Sequence, residues 1–188
     1  ISVGNISTGG TGKTPFVIYL AEYFLNKGLR IGIISRGYKR KSKEIVIVCD
    51  GESVNDNIME SGDELIMVSY ELIKNFRGKI FVAAGADRIK TSNKLIKEFN
   101  VDLIILDDAF QHRKIHRDAD IVIIDAPEYY NNELENMLLI PSGNLRERFS
   151  NLKRADLIIQ NNKTSKLEFI TKLSESYINL IQLRYKTE

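Results

Sequence analysis

The sequence has 188 residues, 43% of them hydrophobic and 28% charged, and its 27 basic and 25 acidic side chains leave a net charge of +2. This excludes a disordered chain and a strongly basic one drawn to nucleic acid by bulk charge, and it suits one α/β domain with an ample core and at most a small appendage. The lone cysteine, Cys49, rules out an internal disulfide and fits a reducing compartment, and no run of ~18 apolar residues is present to span a membrane. With no initiator Met and Ile1 already inside a strand pattern, the chain is expected to be a fragment whose flanks hold any targeting or membrane element.

The first element is a short apolar run, Ile1-Ser2-Val3-Gly4-Asn5-Ile6, which enters a glycine-rich turn, Ser7-Thr8-Gly9-Gly10-Thr11-Gly12-Lys13-Thr14, and leaves as a helix over residues 14–25. Strand, loop and helix in this order make a phosphate-binding loop. Gly9, Gly10 and Gly12 let backbone N–H groups converge on phosphate oxygens, and the helix turns its positive end toward the same point. Lys13 supplies a mobile charge for the outer phosphates, and Thr14 a hydroxyl for Mg²⁺. Ser7 stands where the strict pattern has its first Gly, so one position fails.

Downstream, Asn26-Lys27-Gly28 closes the helix and residues 30–35 read as a strand. Five basic residues fall in the eight of 36–43 (Arg36, Lys39, Arg40, Lys41, Lys43), and the run reads either as a solvated loop or as an anion-binding segment beside the phosphate site. Residues 44–49 form a third strand and 50–61 a polar, turn-rich stretch. Gly62-Asp63-Glu64 opens a helix through Ile73, where Asp63 is either a first-turn acid or a functional one. A strand over 79–84 and a helix from Asp87-Arg88 to Phe99 follow. Residues 102–108 are a buried-type strand ending in Asp107-Asp108, placed as the acids that hold Mg²⁺ in phosphate-loop enzymes. Residues 119–125 have the same shape, but Asp125 runs into Ala126-Pro127, a loop. A short apolar piece (138–140), a turn and a charged helix start (145–148) precede the strand 155–159, then a helix over 166–173 and one more strand over 178–183. The alternation predicts an α/β fold of phosphate-loop NTPase type, with a mostly parallel sheet and helices on both faces. By the strand-end rule the loop, Asp63, Asp107-Asp108 and Arg146-Glu147 gather on one edge. The expected division is a nucleotide-binding core over 1–162 and the incomplete start of a C-terminal lobe over 163–188.

The quoted segments resemble the tetraacyldisaccharide 4'-kinase (lipid A 4'-kinase) family of Gram-negative bacteria. The matching pieces occur in order: Val3-Gly4-Asn5-Ile6 with Gly9–Pro15, Ser35-Arg36-Gly37-Tyr38, Gly62-Asp63-Glu64, Leu106-Asp107-Asp108-Ala109-Phe110-Gln111-His112, Arg117-Asp118, and Pro141–Glu147 with Arg154-Ala155-Asp156. The family tolerates a residue other than Gly at the place of Ser7. Leu65, Ala109 and Arg148 depart from its usual Pro, Gly and Pro without removing a chemical group.

The resemblance implies transfer of the ATP γ-phosphate to the 4'-hydroxyl of an acylated glucosamine disaccharide 1-phosphate, giving lipid IVA in lipid A biosynthesis. It implies ATP and Mg²⁺ as cofactors, no nucleic acid partner, and a place at the cytoplasmic face of the inner membrane, reached through an N-terminal segment preceding Ile1. By the same resemblance, Ser7–Thr14 bind the nucleotide, and Thr14, Asp107, Asp108 and Glu147 organise the metal. Asp63, Lys13 and Arg146 are catalytic, with Asp63 as base or orienter for the sugar hydroxyl. Arg36, Tyr38, Arg88 and His112 meet the substrate; His112 reads equally as a structural histidine. The family's catalytic His lies in a lobe expected beyond Glu188, so residues 1–188 alone are expected to bind nucleotide with little turnover. Asn161-Asn162-Lys163 occupies a base-reading position, and Ser165 where a guanine reader needs Asp favours ATP. A competing class is a partitioning or targeting ATPase used as a nucleotide switch. Those often carry Lys where Thr8 stands. A third, another small-molecule kinase or ligase, is disfavoured by the run from Asp107 to His112.

Overall fold

Strand side chains alternate between two cores, and that alternation builds the layers. From β2 (Ile31–Ser35) and β4 (Ile80–Ala84), Ile31, Ile33, Ile80, Val82 and Ala84 face one core, whereas Ile34, Phe81 and Ala83 face the other. Strands buried on both faces read as continuous apolar runs, as these do. The first core is closed by α1 (Lys13–Asn26) and α3 (Asp63–Phe76), through Phe16, Val17, Ala21 and Leu25 of one and Leu65, Val68 and Leu72 of the other. The second is closed by α4 (Arg88–Phe99) through Leu95, which packs so near β2 that a Cβ on Gly32 would lie 3.0 Å from its Cδ1. A third cluster, Ile6, Phe110, Val122, Ile124, Leu145, Leu152 and Ile158, packs under the 3-10 helix Phe149–Arg154. Each fully buried Leu, Ile or Phe contributes about 1.5–3 kcal/mol relative to an exposed one.

The computed structural model describes residues 1–38, 40–125, 138–161 and 180–183. Its sheet has eight strands in the order β3-β4-β2-β5-β1-β6-β7-β8. These include β1 (Ser2–Gly4), β3 (Val46–Cys49), β5 (Leu103–Asp107), β6 (Asp120–Asp125), β7 (Leu157–Asn161) and β8 (Leu180–Leu183). All pairings are parallel except β3 with β4. This is the α/β fold expected from the alternation. A four-residue helix, α2 (Ile58–Ser61), capped by the Asn57 side chain, lies inside the stretch read as polar turns. The helical turn near residue 145 falls later than expected, at Phe149–Arg154. The helix expected over 166–173 lies outside the described residues, as does the Ala126-Pro127 loop. Leu180–Leu183 joins β7 in the same sheet.

Because β1 runs between β5 and β6, its C-terminal end opens onto the middle of one sheet edge. The turns that follow β2, β4 and β5 leave from that edge too. Contact there is close: a Cβ on Gly4, the last residue of β1, would sit 2.6 Å from the Phe110 Cβ. The N-terminus of α3 reaches the same edge, where Gly62 (φ +82°) packs against the Tyr38 carbonyl and Gly37.

Candidate active site

The phosphate loop is held from several sides. Ser7 forms an antiparallel bridge with Leu145, and the Thr8 amide donates to the Asn144 carbonyl at 2.8 Å. Ser7 is buried at 1% exposure and lies outside the left-handed region, so its position does not require glycine; that accounts for the missing first Gly. Gly9 (φ 114°) and Gly12 (φ 87°) do take conformations that side chains disfavour. Gly12 caps α1, leaving the first-turn amides of Lys13 and Thr14 aimed past the helix end. Among the described residues, the side chain of Asn161 at the end of β7 donates to the Thr11 carbonyl at 3.1 Å. Its donor is thereby spent on the loop backbone. Asn162, Lys163 and Ser165 lie outside the described residues.

Above the loop the two adjacent acids have different environments. Asp108, in a left-handed conformation (φ 50°), accepts from Arg146 Nη1 at 2.8 Å to both carboxylate oxygens and lies 3.7 Å from Lys13 Nζ. A non-glycine residue held there stores of order 1–3 kcal/mol of strain, a common trait of functional turns. Asp107 is 6% exposed, and its Oδ1 has no hydrogen-bond partner. Burial, with the nearby Glu64 and Asp108 carboxylates, pushes it up to about 6, against the opposing pull of Lys13 and a Ser35 hydrogen bond. Thr14 donates its hydroxyl to Glu64 Oε1. Thus Thr14, Asp107 and Glu64 form an oxygen-rich corner, and Glu64 is a member that reading the sequence for acids at strand ends did not select.

Glu147 is placed differently from its expected metal role. Its Oε2 is taken by Arg154 and by Asn151 Nδ2, the latter at 2.8 Å. Its neighbour Arg146 alone reaches the central acids. Arg154 in turn lies 4.3 Å over the Phe110 ring, so this group ties the 3-10 helix to the turn after β5. Among the described residues no set of three or more His, Cys, Asp or Glu could hold a metal by itself. The Thr14, Asp107 and Glu64 donors instead suit Mg²⁺ arriving with phosphate oxygens and water, the usual arrangement for this ion.

A cavity of about 420 Å³ opens beside Asp108, lined by Arg36, Ala86, Arg88, Gln111, His112 and Arg146. Arg88 is 2% exposed, bonded to the Gly85 carbonyl and, at 3.4 Å, to the Asp107 carbonyl. Burial lowers its pKa, opposed by the charges of Asp107 and Asp108. Three guanidinium groups against one carboxylate, Asp108, leave the lining with a net positive charge that suits an anion. His112 lines the same pocket, and its carbonyl accepts from Arg117 at 2.8 Å. Tyr38 and Asp63 are exposed near the Gly62 turn, and Asp63 Oδ1 accepts from the Glu64 amide at 2.9 Å. Within the basic run, Arg40 spends its guanidinium on the carbonyls of Arg36 (3.0 Å) and Glu44 (2.7 Å). Lys41 and Lys43 are exposed, and Lys39 lies outside the described residues.

Comparison with known proteins places these features in one family. The model of the LpxK family, described as tetraacyldisaccharide-1-P 4'-kinase, matches residues 1–188. A tetraacyldisaccharide 4'-kinase of Chlorobium chlorochromatii is 42% identical over 173 residues, which is 91% of this chain and 44% of that protein. The protein of that name from Aquifex aeolicus is 40% identical over 91% of this chain and 50% of its own length. A crystal structure of Aquifex aeolicus LpxK in complex with ATP superposes with a TM-score of 0.72 at 39% identity, covering 85% of this chain and 46% of that one. The chain therefore spans about half the length of the relatives it matches. On the family match along the whole chain, and with the phosphate loop, paired acids and Arg146 in place, the chain belongs to the tetraacyldisaccharide-1-P 4'-kinase family.

Proposed function

We propose that the protein of which these residues form the nucleotide-binding wall phosphorylates the 4'-hydroxyl of an acylated disaccharide 1-phosphate with ATP, at the cytoplasmic face of a bacterial inner membrane. The observation that carries this reading is Asp108 shared between Lys13 and Arg146 above the phosphate loop. Two cations converge on one carboxylate where the outer phosphates of a nucleotide belong. Phosphoryl transfer works mainly through positioning and charge neutralisation, and this arrangement supplies both.

Amides at the start of α1 and the Lys13 ammonium hold the β- and γ-phosphates. Thr14, Asp107 and Glu64 would hold Mg²⁺, which supplies charge neutralisation between those phosphates when bound. Arg146 turns from Asp108 to the transferring group. Asp63, exposed beside the Gly62 turn, accepts the proton of the sugar hydroxyl while the hydroxyl oxygen bonds to the γ-phosphorus and the bond to the β-bridging oxygen breaks, releasing ADP. Arg36, Arg88 and His112 present the anion pocket to the acceptor's phosphate. Among the described residues no helix is long and apolar enough to cross a membrane.

The test uses the full-length protein, Mg²⁺, γ-labelled ATP and the acylated disaccharide 1-phosphate in detergent. Labelled lipid is expected from the native sequence, with Asp63→Ala slower by about 10²–10⁴-fold, the worth of a positioned base. An unlabelled lipid fraction from the native protein, or undiminished turnover in Asp63→Ala, defeats the proposal.

A further inference from the structure

Thr11 of the phosphate loop is gripped at three of its groups. Its own N–H donates to the Gly9 carbonyl at 3.2 Å, and its hydroxyl accepts from Asn5 Nδ2 at 3.2 Å. The third grip comes from the Asn161 side chain, 150 residues away, on the Thr11 carbonyl. Gln111 Nε2 in turn holds the Asn5 carbonyl at 2.8 Å. Only the Asn161 bond acts on the peptide that joins Thr11 to Gly12.

That peptide is trans; among the described residues the sole cis bond is Ile140–Pro141. In a trans peptide the carbonyl and the following N–H point in opposite directions. With the Thr11 carbonyl directed at Asn161, the Gly12 N–H is directed away from it, and Gly12 is the residue that caps the start of α1. Gly12 has φ 87°, and a glycine there lets the peptide turn over without steric penalty. Something outside the loop must therefore choose between the orientation that presents an N–H and the one that presents a carbonyl to an arriving anion.

We propose that Asn161 is the positioning residue that makes this choice, holding the Thr11–Gly12 peptide so that the Gly12 N–H meets the nucleotide phosphates. The inference rests on the nucleotide-binding reading above. A second observation supports it. Asn161 is 2% exposed and its Oδ1 is left buried without a partner. A leucine of similar shape would bury no orphan oxygen, so the amide's contribution here is its donor. The amide orientation is fixed by chemistry as well, since the flipped rotamer would set Oδ1 against the Thr11 carbonyl.

The experiment measures Mg·ATP affinity and steady-state kinetics of the full-length protein carrying Asn161→Leu or Asn161→Asp. Asn161→Leu keeps the shape and removes the donor; about tenfold weaker Mg·ATP binding is expected, the effect of one buried hydrogen bond. Asn161→Asp faces the carbonyl with an acceptor and is expected to weaken binding further, by about a hundredfold. In both, the KM for ATP rises while the KM for the lipid acceptor stays near its native value; the melting midpoint of Asn161→Leu falls only slightly, whereas that of Asn161→Asp falls further because a carboxylate is buried against a carbonyl. If Asn161→Leu fails to fold, Asn161→Ala carries the same comparison. Native-like ATP affinity in the donor-free variant overturns the proposal, as does a loss of acceptor and nucleotide affinity in step with melting. A native protein that does not bind Mg·ATP defeats the underlying functional reading instead.

Discussion

The phosphate loop and the Gly62 turn lie on the same sheet edge, yet the first is built into the protein and the second is laid upon it. Asn5, Ser7, Thr11 and Asn161 are all at most 2% exposed, and bonds reach the loop from Asn5 just after β1, from β7 and from the turn before Arg146. Across the edge, Tyr38 is 72% exposed and Asp63 is bonded only to the adjacent amide among the interactions described. A phosphate chain of fixed geometry is best met by donors already in place, which removes reorganisation at the moment of reaction. The acceptor side proposed above is, by contrast, a surface with little packing of its own. Substitutions on the two sides should therefore fail in different ways.

The largest expected effect is that of Lys13→Ala. Turnover of the full-length protein should fall about a thousandfold, with its melting midpoint nearly unchanged, because Asp108 keeps Arg146 as a partner. Steady-state kinetics and thermal melting measure both. If Lys13→Ala unfolds the protein, the loop's bracing depends on the charge pair and the contrast drawn above fails. Next in size is Arg146→Ala, expected to lower kcat about a hundredfold with a smaller change in the KM for ATP. Arg146→Lys should recover little, since a point charge cannot replace the guanidinium held across both Asp108 oxygens. Full recovery by lysine would reduce Arg146 to a counter-charge.

These expectations draw unequally on what the sequence reveals. The loop, the Asp107-Asp108 strand end and the strand–helix alternation are local patterns, and the structure places them as expected. What the sequence conceals is which partner each polar group takes. Glu147 and Arg146 are adjacent, but one is bound to Arg154 and Asn151 and the other reaches Asp108. Glu64 meets Thr14 across 50 positions and Asn161 meets Thr11 across 150. No periodicity encodes such contacts; they follow from strand order, and the placement of β1 between β5 and β6 is itself a long-range fact. Arg88, expected to meet the substrate, is buried, its guanidinium held by the Gly85 carbonyl after β4 and the Asp107 carbonyl at the end of β5. Likewise β3 pairs antiparallel, a direction that its apolar run cannot specify.

Burial of Asp107 gives a mid-sized prediction with a definite sign. Its folded carboxyl titrates at about 6 rather than 3.8. Between those values the folded state holds a proton that the unfolded state has lost. Stability therefore falls as pH rises through the window, and above it the buried charge is a constant destabilisation. Asp107→Asn should be more stable than the native protein at pH 7.5, by on the order of 2 kcal/mol, and the gap should shrink as pH falls through the window and close below the unfolded value of 3.8. Urea midpoints across that range, without Mg²⁺ or nucleotide, measure this. A gap that is constant with pH would show that the amide acts by packing. The same variant should lose Mg²⁺-dependent turnover, so the braced side gains stability from the change that removes its function.

The smallest expected effect lies on the exposed side and sorts the basic run. Arg40 is committed to the loop's own carbonyls, whereas Lys41 and Lys43 are exposed with no described side-chain partner. Replacing both lysines by alanine should raise the KM for the acceptor in anionic mixed micelles about threefold, leave the KM for ATP alone, and lose its effect in neutral micelles or high salt. Arg40→Ala should act otherwise, weakening the acceptor equally in neutral and anionic micelles, because it loosens the turn that seats Gly37 against Gly62. A salt-independent response to the lysine changes would mean that this loop recognises the acceptor through fixed contacts. The exposed side would then be as preorganised as the phosphate loop.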